Sequence, residues 1–432
     1  MKITPAWRVY VLGATLCAAL TLSSRNWADR GGPYFTASLA FAGIVYLLAV
    51  REFFRTPRFS RRVVILGLVL AAVWHIELLR VPPGADDDIH RYVWDGRLQR
   101  LGYNPYIVVP SDPAVKWLHT AETRNLNNPD LPSPYPPGAL LFSRAITAIQ
   151  ESTFAFKVTF VVCDFAIIFV VLDVLRRNQQ GAHLVLAFAW NPLLAIEVAG
   201  SGHIDIVGAL LLVTSLAALA RSWRTIAALA FALAVTVKFL PLVLMPLYWK
   251  RVRLRDAALG AALVALMYVP FLNHGRIPIG SLATYIRTFR FNGPVFATLD
   301  KVLPVQLLAA LAVVVGLVTA TWLRSTAPES SSDMFAWPMA ASLLCAPVVF
   351  PWYLLWLLPF LTSASTLLII FWTVSIIPTY VMWHLRTLTG TWGALPGWVM
   401  LLEYGCVAMG GAVIAFRRIA KPPVQCSTKE VV

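Results

Sequence analysis

"RRVVILGLVLAAVWHIELLRVPPGADDDIHRYVWDG", residues 61–96, passes from two arginines through a long apolar run into three aspartates, His90, Arg91, Tyr92, Trp94 and Asp95. A helix needs roughly 20 apolar residues to cross a bilayer, and the run from about 62 to 80 supplies them. The acidic and aromatic cluster therefore lies where that span leaves the lipid, on the side opposite Arg61 and Arg62. Carboxylates, aromatics and an arginine at a membrane edge pose a chemical question that the rest of the chain helps to answer.

Hydrophobic residues are 58% of the 432 and charged residues 13%, against about a quarter charged in soluble domains. This composition belongs to an integral membrane protein. Its continuous apolar runs predict an all-α, polytopic fold of about 12–14 membrane helices. The formal charge of +15 is spread over short basic clusters between apolar runs, which reads as membrane topology and gives no nucleic-acid partner. The 16 tryptophans suit anchoring at the two lipid–water interfaces. Cys17, Cys163, Cys345 and Cys406 lie in apolar segments and Cys426 in the tail, so no disulfide framework is implied. Lys2 and Arg8 precede "VYVLGATLCAALTLSS" (9–24), but no small-x-small cleavage site closes it. It reads as an uncleaved first span.

Spans are expected near 7–24, 34–52, 62–80, 154–175, 183–199, 204–220, 225–237, 239–249, 256–272, 303–323, 335–349, 351–362, 366–384 and 398–416. The loop "REFFRTPRFSRR" (51–62), Arg176–Arg177, "RSWR" (221–224), "KRVRLR" (250–255), Arg324 and "FRRIAK" (416–421) carry the basic charge. The positive-inside rule makes them cytoplasmic. One threading satisfies them all and puts both termini in the cytoplasm of a cell whose inner or plasma membrane holds the protein. The segments 82–137, 200–203, 273–301, 350–352 and 385–397 then face outside. The chain divides into an N-terminal hairpin (1–60), a membrane module (61–416) containing the outer loop 82–137, and a cytoplasmic tail (417–432).

That threading exposes an anomaly. Two basic clusters, 221–224 and 250–255, must both be cytoplasmic, although only about one span's length separates them. "AALAFALAVTVKFLPLVLMPLYW" (227–249) resolves this as two short helices meeting at Lys238, with Pro241 starting the second. An unpaired lysine there costs ~3 kcal/mol or more. It is either a structural ion-paired or snorkelling lysine or a phosphate-binding one. On the second reading Lys238→Met is expected to fold normally.

The outer loop has the turn chemistry of a compact folded segment, with "GYNPY" (102–106) and "NNPDLPSPYPPG" (127–138). Asn104, Tyr103, Tyr106 and Tyr135 offer amide and flat amphipathic surfaces suited to sugars. The aspartates either cap the helix "IHRYVWDGRLQRLG", or one of them serves as general base toward a hydroxyl. "NPLLAIEVAGSGHID" (191–205) brings Glu197, His203 and Asp205 to the same side. His-x-Asp is half a metal site at most, without a third ligand at diagnostic spacing. The pattern calls for no cofactor, though it does not exclude a divalent metal, and hydrogen bonding to sugar hydroxyls or to the base is the reading preferred. Arg287, Arg290 and Asn292 in "YIRTFRFNGPVF" meet either a substrate phosphate or lipid headgroups. Trp352 and Tyr353 are either interfacial belt aromatics or part of the site.

The run "DDIHRYVWDGRLQRLGYNPY" (87–106), then "YPPG" (135–138), "NPLLAIEVAGSGHID" and "VKFLPLVLMPL" (237–247), resembles the GT-C glycosyltransferases. The likeness is to glycosyltransferase family 87 and the polyprenol-phosphate-mannose-dependent α-mannosyltransferases, and covers about residues 62–360. GT-C enzymes commonly carry their first large outer loop after the first span. Here it follows the third, which makes 1–60 look like an added hairpin.

The resemblance implies a GT-C fold and a sugar, mannose favoured, taken from a polyprenyl-phosphate carrier on the non-cytoplasmic side. The acceptor is a glycan or glycolipid. The base falls at Asp88, with Asp87 next and Asp86 an additional aspartate. Residue chemistry adds Lys238, Arg91, Arg287 and Arg290 for the donor phosphate. Tyr92, Trp94, Asn104, Tyr106, Tyr135, Glu197, His203, Asp205 and Tyr353 are expected around the substrate. With a hydroxyl attacking and phosphate leaving from opposite faces, one displacement inverts the anomeric centre. A transporter or flippase with a coupled ion site is the other class considered. An enzyme should gather its charges in a cavity beside the outer loop, whereas a transporter should hold them at mid-membrane between two similar halves.

Overall fold

The computed structural model describes residues 6–84, 87–124, 126–272, 278–327 and 331–419, with side chains to 413. Asp86, residues 273–277, the end of "FRRIAK" and Cys426 lie outside the described residues. Seventeen α-helices are described: α1 (Trp7–Arg25), α2 (Pro33–Arg55), α3 (Arg61–Leu79), α4 (Asp88–Arg100), α5 (Pro137–Ile149), α6 (Thr153–Arg177), α7 (Val185–Ala189), α8 (Asp205–Ala220), α9 (Arg224–Val237), α10 (Leu254–Tyr268), α11 (Leu282–Thr288), α12 (Pro294–Leu299), α13 (Val305–Thr326), α14 (Asp333–Leu344), α15 (Leu367–Ser375), α16 (Val381–Thr389) and α17 (Gly397–Ile419). Among the described residues the extended pairings are two isolated bridges, Phe291 and Asn292 each to Val348. The fold is all-α.

Each expected span has a helical counterpart, but they are unequal. Among the described residues six helices are long and apolar enough to cross a membrane, or seven if the bent pair 182–189 and 194–201 is one span. Those that fall short of spanning length are short or broken. The physical reason is that non-helical backbone is tolerated at membrane depth only where protein or a cavity satisfies it. Leu194–Ser201 is a π-helical segment that ends on Gly202, whose φ of 79° a side chain would oppose. After Val237 the chain leaves α9 at Lys238 in an extended conformation (φ −153°, ψ 152°) and resumes as a 3₁₀ segment, Leu240–Tyr248. The hairpin expected from the charge pattern is present. Helix α5, for which the sequence reading assigned no element, packs against α4 and α9.

Helix starts follow their local chemistry. Pro33 and Pro137 open α2 and α5, where a missing N–H costs nothing. Ser152 caps α6 by accepting from Ala155 N at 3.2 Å, and Asp256 accepts from Arg253 N at 3.1 Å and from Thr225 Oγ1 at 2.7 Å at the start of α10. The core at the crossing of α2, α3 and α7 is built on Trp190. Its Nε1 donates to Gly67 O at 2.8 Å, and a Cβ at Gly67 would lie 2.9 Å from Leu186.

The contacts sort into two faces. Segments expected inside meet one another: His183 Nε2 lies 3.0 Å from Phe53 O, Asp173 binds Arg176, Arg177 and Arg221, residues 222–226 share a hollow with Arg253, Arg255 and Asp256, and Arg324 reaches Trp249 O. Segments expected outside surround a large cavity.

Candidate functional site

The cavity holds about 1010 Å³. The start of α4, the loop 126–136, the Lys238 hairpin tip, the 281–291 segment, the chain from 343 to 356, and α16 with its following turn form its walls. Asp88 is the first residue of α4 and lines it, half-buried. Asn127 Nδ2 donates to Asp88 Oδ1 at 2.6 Å, and among the described residues no cation pairs with it. Tyr135 forms the adjoining wall. Burial first, and then the Asp88 charge, push its phenol well above the ordinary range.

Asp87 is differently employed. It stands at the N-cap of α4 without capping it. Its two carboxylate oxygens instead receive both terminal nitrogens of Arg30, and Oδ2 accepts from Gly84 N at 2.7 Å. Arg30 lies in the turn between α1 and α2, buried to 7% exposure. The sequence reading missed it. Its signal was present in "WADRGG" (27–32), a charged tip between two apolar runs.

Lys238 reaches the cavity wall, 18% exposed, with its ammonium 2.7 and 2.9 Å from the two oxygens of Asp205 and 4.3 Å from the centre of the Tyr353 ring. Asp205 is fully buried and accepts a third bond from Trp356 Nε1 at 2.7 Å. The ion-pair alternative is therefore what the fold builds. The expectation that Lys238→Met folds normally is corrected, because it would leave a buried carboxylate unpaired. Tyr353 lines the cavity, its hydroxyl 2.9 Å from that of Tyr285.

The remaining expected residues divide. Arg91 borders the cavity but is committed: Nε to Asp95 Oδ1 at 3.2 Å, Nη2 to Leu131 O at 2.8 Å, Nη1 to Asn128 O at 3.5 Å. It holds the outer loop onto α4, and burial raises the Asp95 carboxyl in spite of that arginine. Arg290 lines the rim and bonds Phe289 O at 2.7 Å and Arg287 O at 3.0 Å, while Arg287 is exposed and does not line the cavity.

Tyr92, Trp94, Asn104 and Tyr106 lie behind the wall. Tyr92 packs edge-on against Tyr135, and Trp94 stacks on His119 at 4.2 Å in a small separate core. Asn104 donates to Phe271 O at 2.9 Å, and Tyr106 to Tyr135 O at 2.7 Å. Glu197 and His203 are buried beneath the cavity floor, with His203 Nδ1 2.9 Å from Glu197 Oε2 and Tyr380 donating to Glu197. His203 touches the wall indirectly through a ladder of stacked rings: Trp352 at 4.0 Å, Phe350 at 4.3 Å beyond it, then Phe291 at 4.4 Å. Trp383 and Arg386 of α16, the first in an expected span and the second in a segment expected outside, were not singled out and complete the rim.

Among the described residues the arrangement offers two lining carboxylates without a paired cation, half-buried Asp88 and exposed Asp130, together with a lysine that has a spare donor and an aromatic wall. Comparison with known proteins bears on its use. Residues 9–252 match the model of the MptA_B family, described as alpha-(1->6)-mannopyranosyltransferase, N-terminal domain, and the match takes in the first hairpin. Among solved structures, the chain is similar to ArnT from Cupriavidus metallidurans bound to undecaprenyl phosphate, at 17% identity over 83% of this chain and 73% of that one, with a TM-score of 0.45. No curated protein matches.

Proposed function

The chain belongs to the alpha-(1->6)-mannopyranosyltransferase family whose model it matches, and from that premise we propose that it carries a mannosyl group from a polyprenyl-phosphate donor to a glycan or glycolipid hydroxyl on the non-cytoplasmic side, with Asp88 as general base. The coarser part is plain: this is a multi-pass membrane glycosyltransferase of the kind the motifs resemble. One observation carries the finer part. At the cavity wall, Asp88 is a half-buried carboxylate held by neutral donors, the Asn127 amide and the Tyr135 hydroxyl. The other lining carboxylate without a cation among the described residues, Asp130, is exposed, while Asp87, Asp95 and Asp205 are each spent on a cation. A base must accept a proton, and a cation held against a carboxylate favours its ionised form and so weakens it as a base.

In the proposed step Asp88 takes the proton of the acceptor hydroxyl. The oxygen forms a bond to the anomeric carbon, the bond from that carbon to the phosphate oxygen breaks, and its electron pair leaves with the polyprenyl phosphate. Attack and departure on opposite faces invert the centre. An ammonium has three N–H donors and Asp205 uses two. Lys238 therefore offers the phosphate one directed donor from a pair that is neutral overall. Arg290 and Arg386 at the rim supply positive charge nearer the headgroup plane.

The charges converge in a cavity walled by the outer loop, the placement expected of an enzyme and not of a carrier working between two similar halves. The test is transfer by purified, reconstituted protein supplied with polyprenyl-phosphate mannose and a membrane glycan acceptor. Asp88→Asn should lower turnover by about 10²–10⁴-fold while donor binding persists. Full activity in both Asp88→Asn and Asp87→Asn would remove the outer loop from the chemistry.

A further inference from the structure

We infer that Arg30 is a positioning residue of this transferase: it clamps Asp87 at the head of α4 and thereby fixes the direction in which Asp88 enters the cavity. The inference rests on the reading of Asp88 as base and adds to it an element, the first hairpin, that the motifs of the outer loop do not include.

The geometry is that of a built clamp. The guanidinium forks onto both oxygens of Asp87, with Nη1 2.9 Å from Oδ2, and Nη1 also donates to Ser201 Oγ at 2.6 Å. Its carbon lies 5.3 Å from the Trp27 ring and 5.4 Å from the Trp383 ring, so two indoles hold it by cation–π contact. Trp27 Nε1 also donates to Pro82 O at 2.7 Å, and Gly84 N donates to Asp87. One turn of the first hairpin thus grips the chain at Pro82 and, through Arg30, at Asp87, the last described residue before the helix.

Helix stability alone does not explain this arrangement. An N-cap aspartate ordinarily turns its carboxylate back to accept from the helix's own N–H groups. Asp87 forgoes that bond and points to Arg30. Asp87 is extended, with φ −70° and ψ 143°, and one peptide bond joins it to Asp88, so holding the Asp87 side chain holds the backbone from which Asp88 enters the cavity. Trp383 lines the cavity and also lies within cation–π distance of the guanidinium, tying the clamp to the cavity wall. A lysine cannot reproduce a planar two-pronged contact.

The test uses full-length protein in lipid nanodiscs, with turnover counted per folded molecule. Arg30→Lys keeps the charge and loses the fork. It should lower kcat by about 10²-fold, the usual effect of an ångström-scale misplacement, while the donor KM changes less than about threefold. Arg30→Gln and Asp87→Asn should each lower kcat, and the double variant should be no worse than the poorer single, since both remove one contact. The double variant removes both members of the pair together and serves where Arg30→Gln alone folds poorly. Wild-type kcat in Arg30→Lys, or losses that multiply in the double variant, would overturn the clamp. Asp88→Asn run alongside separates the two ideas: if it is inactive and Arg30→Lys is normal, only the clamp fails, and if it is active the base assignment fails first.

Discussion

At the residue scale the site is a set of buried ion pairs, and what each pair leaves over decides its use. Asp205 is wholly buried against Lys238 and Trp356. Removing one member of such a pair costs about 3–5 kcal/mol, whereas replacing both is often nearly neutral. Lys238→Met and Asp205→Asn should therefore each lower the thermal midpoint in detergent, and Lys238→Met/Asp205→Asn should regain most of it. Donor titrations belong on that double variant. A raised apparent KM there assigns the spare N–H of Lys238 to the phosphate. An unchanged one makes the lysine structural and passes the phosphate to Arg290 and Arg386.

At the element scale α4, which begins at Asp88 directly after Asp87, sits closely on α5. Gly96 permits the approach: a Cβ there would lie 2.4 Å from Ser143 O and 2.6 Å from Thr147 Oγ1. Gly96→Ala should cost about 1–3 kcal/mol by overpacking and should lower transfer, since α4 must tilt away from the cavity. Gly405→Ala, in exposed α17 with nothing within 4 Å of its added Cβ, should leave both the thermal midpoint and transfer unchanged. Equal effects of the two substitutions would mean that the α4–α5 crossing is not what orients the acid pair.

At the scale of the whole molecule the two faces make a topological prediction. Lys116, exposed on the outer loop, and Arg58, exposed in the basic loop after α2, should lie on opposite sides of the membrane. Single cysteines at these positions, in a protein stripped of its native cysteines, separate the two sides. The residue-116 thiol should react with an impermeant maleimide in intact cells, and the residue-58 thiol only after permeabilisation. The reverse result would place the cavity in the cytoplasm and leave a lipid-linked donor on the outer leaflet out of reach.

The class of protein, the position of nearly every apolar helix, the hairpin at Lys238 and a folded first loop were all legible in the residue order. Each depends on local quantities: apolar run length, the spacing of basic clusters, and the clash between two clusters that must lie on one side. Asp88 was legible as a candidate, but not its separation from Asp87, which follows from an arginine 57 positions earlier in the chain. Trp94 and Tyr92 read as substrate contacts because they are aromatic and close to the acids, yet helical rotation turns them into the packing behind the wall. Lys238 read as a cation awaiting a phosphate, because nothing in its own segment could neutralise it. The neutralising carboxylate comes from α8, packed alongside α9. Charge pairing acts through space across a few ångströms of low dielectric, so which helices become neighbours, and hence which acid remains free to act, was decided only by the tertiary structure.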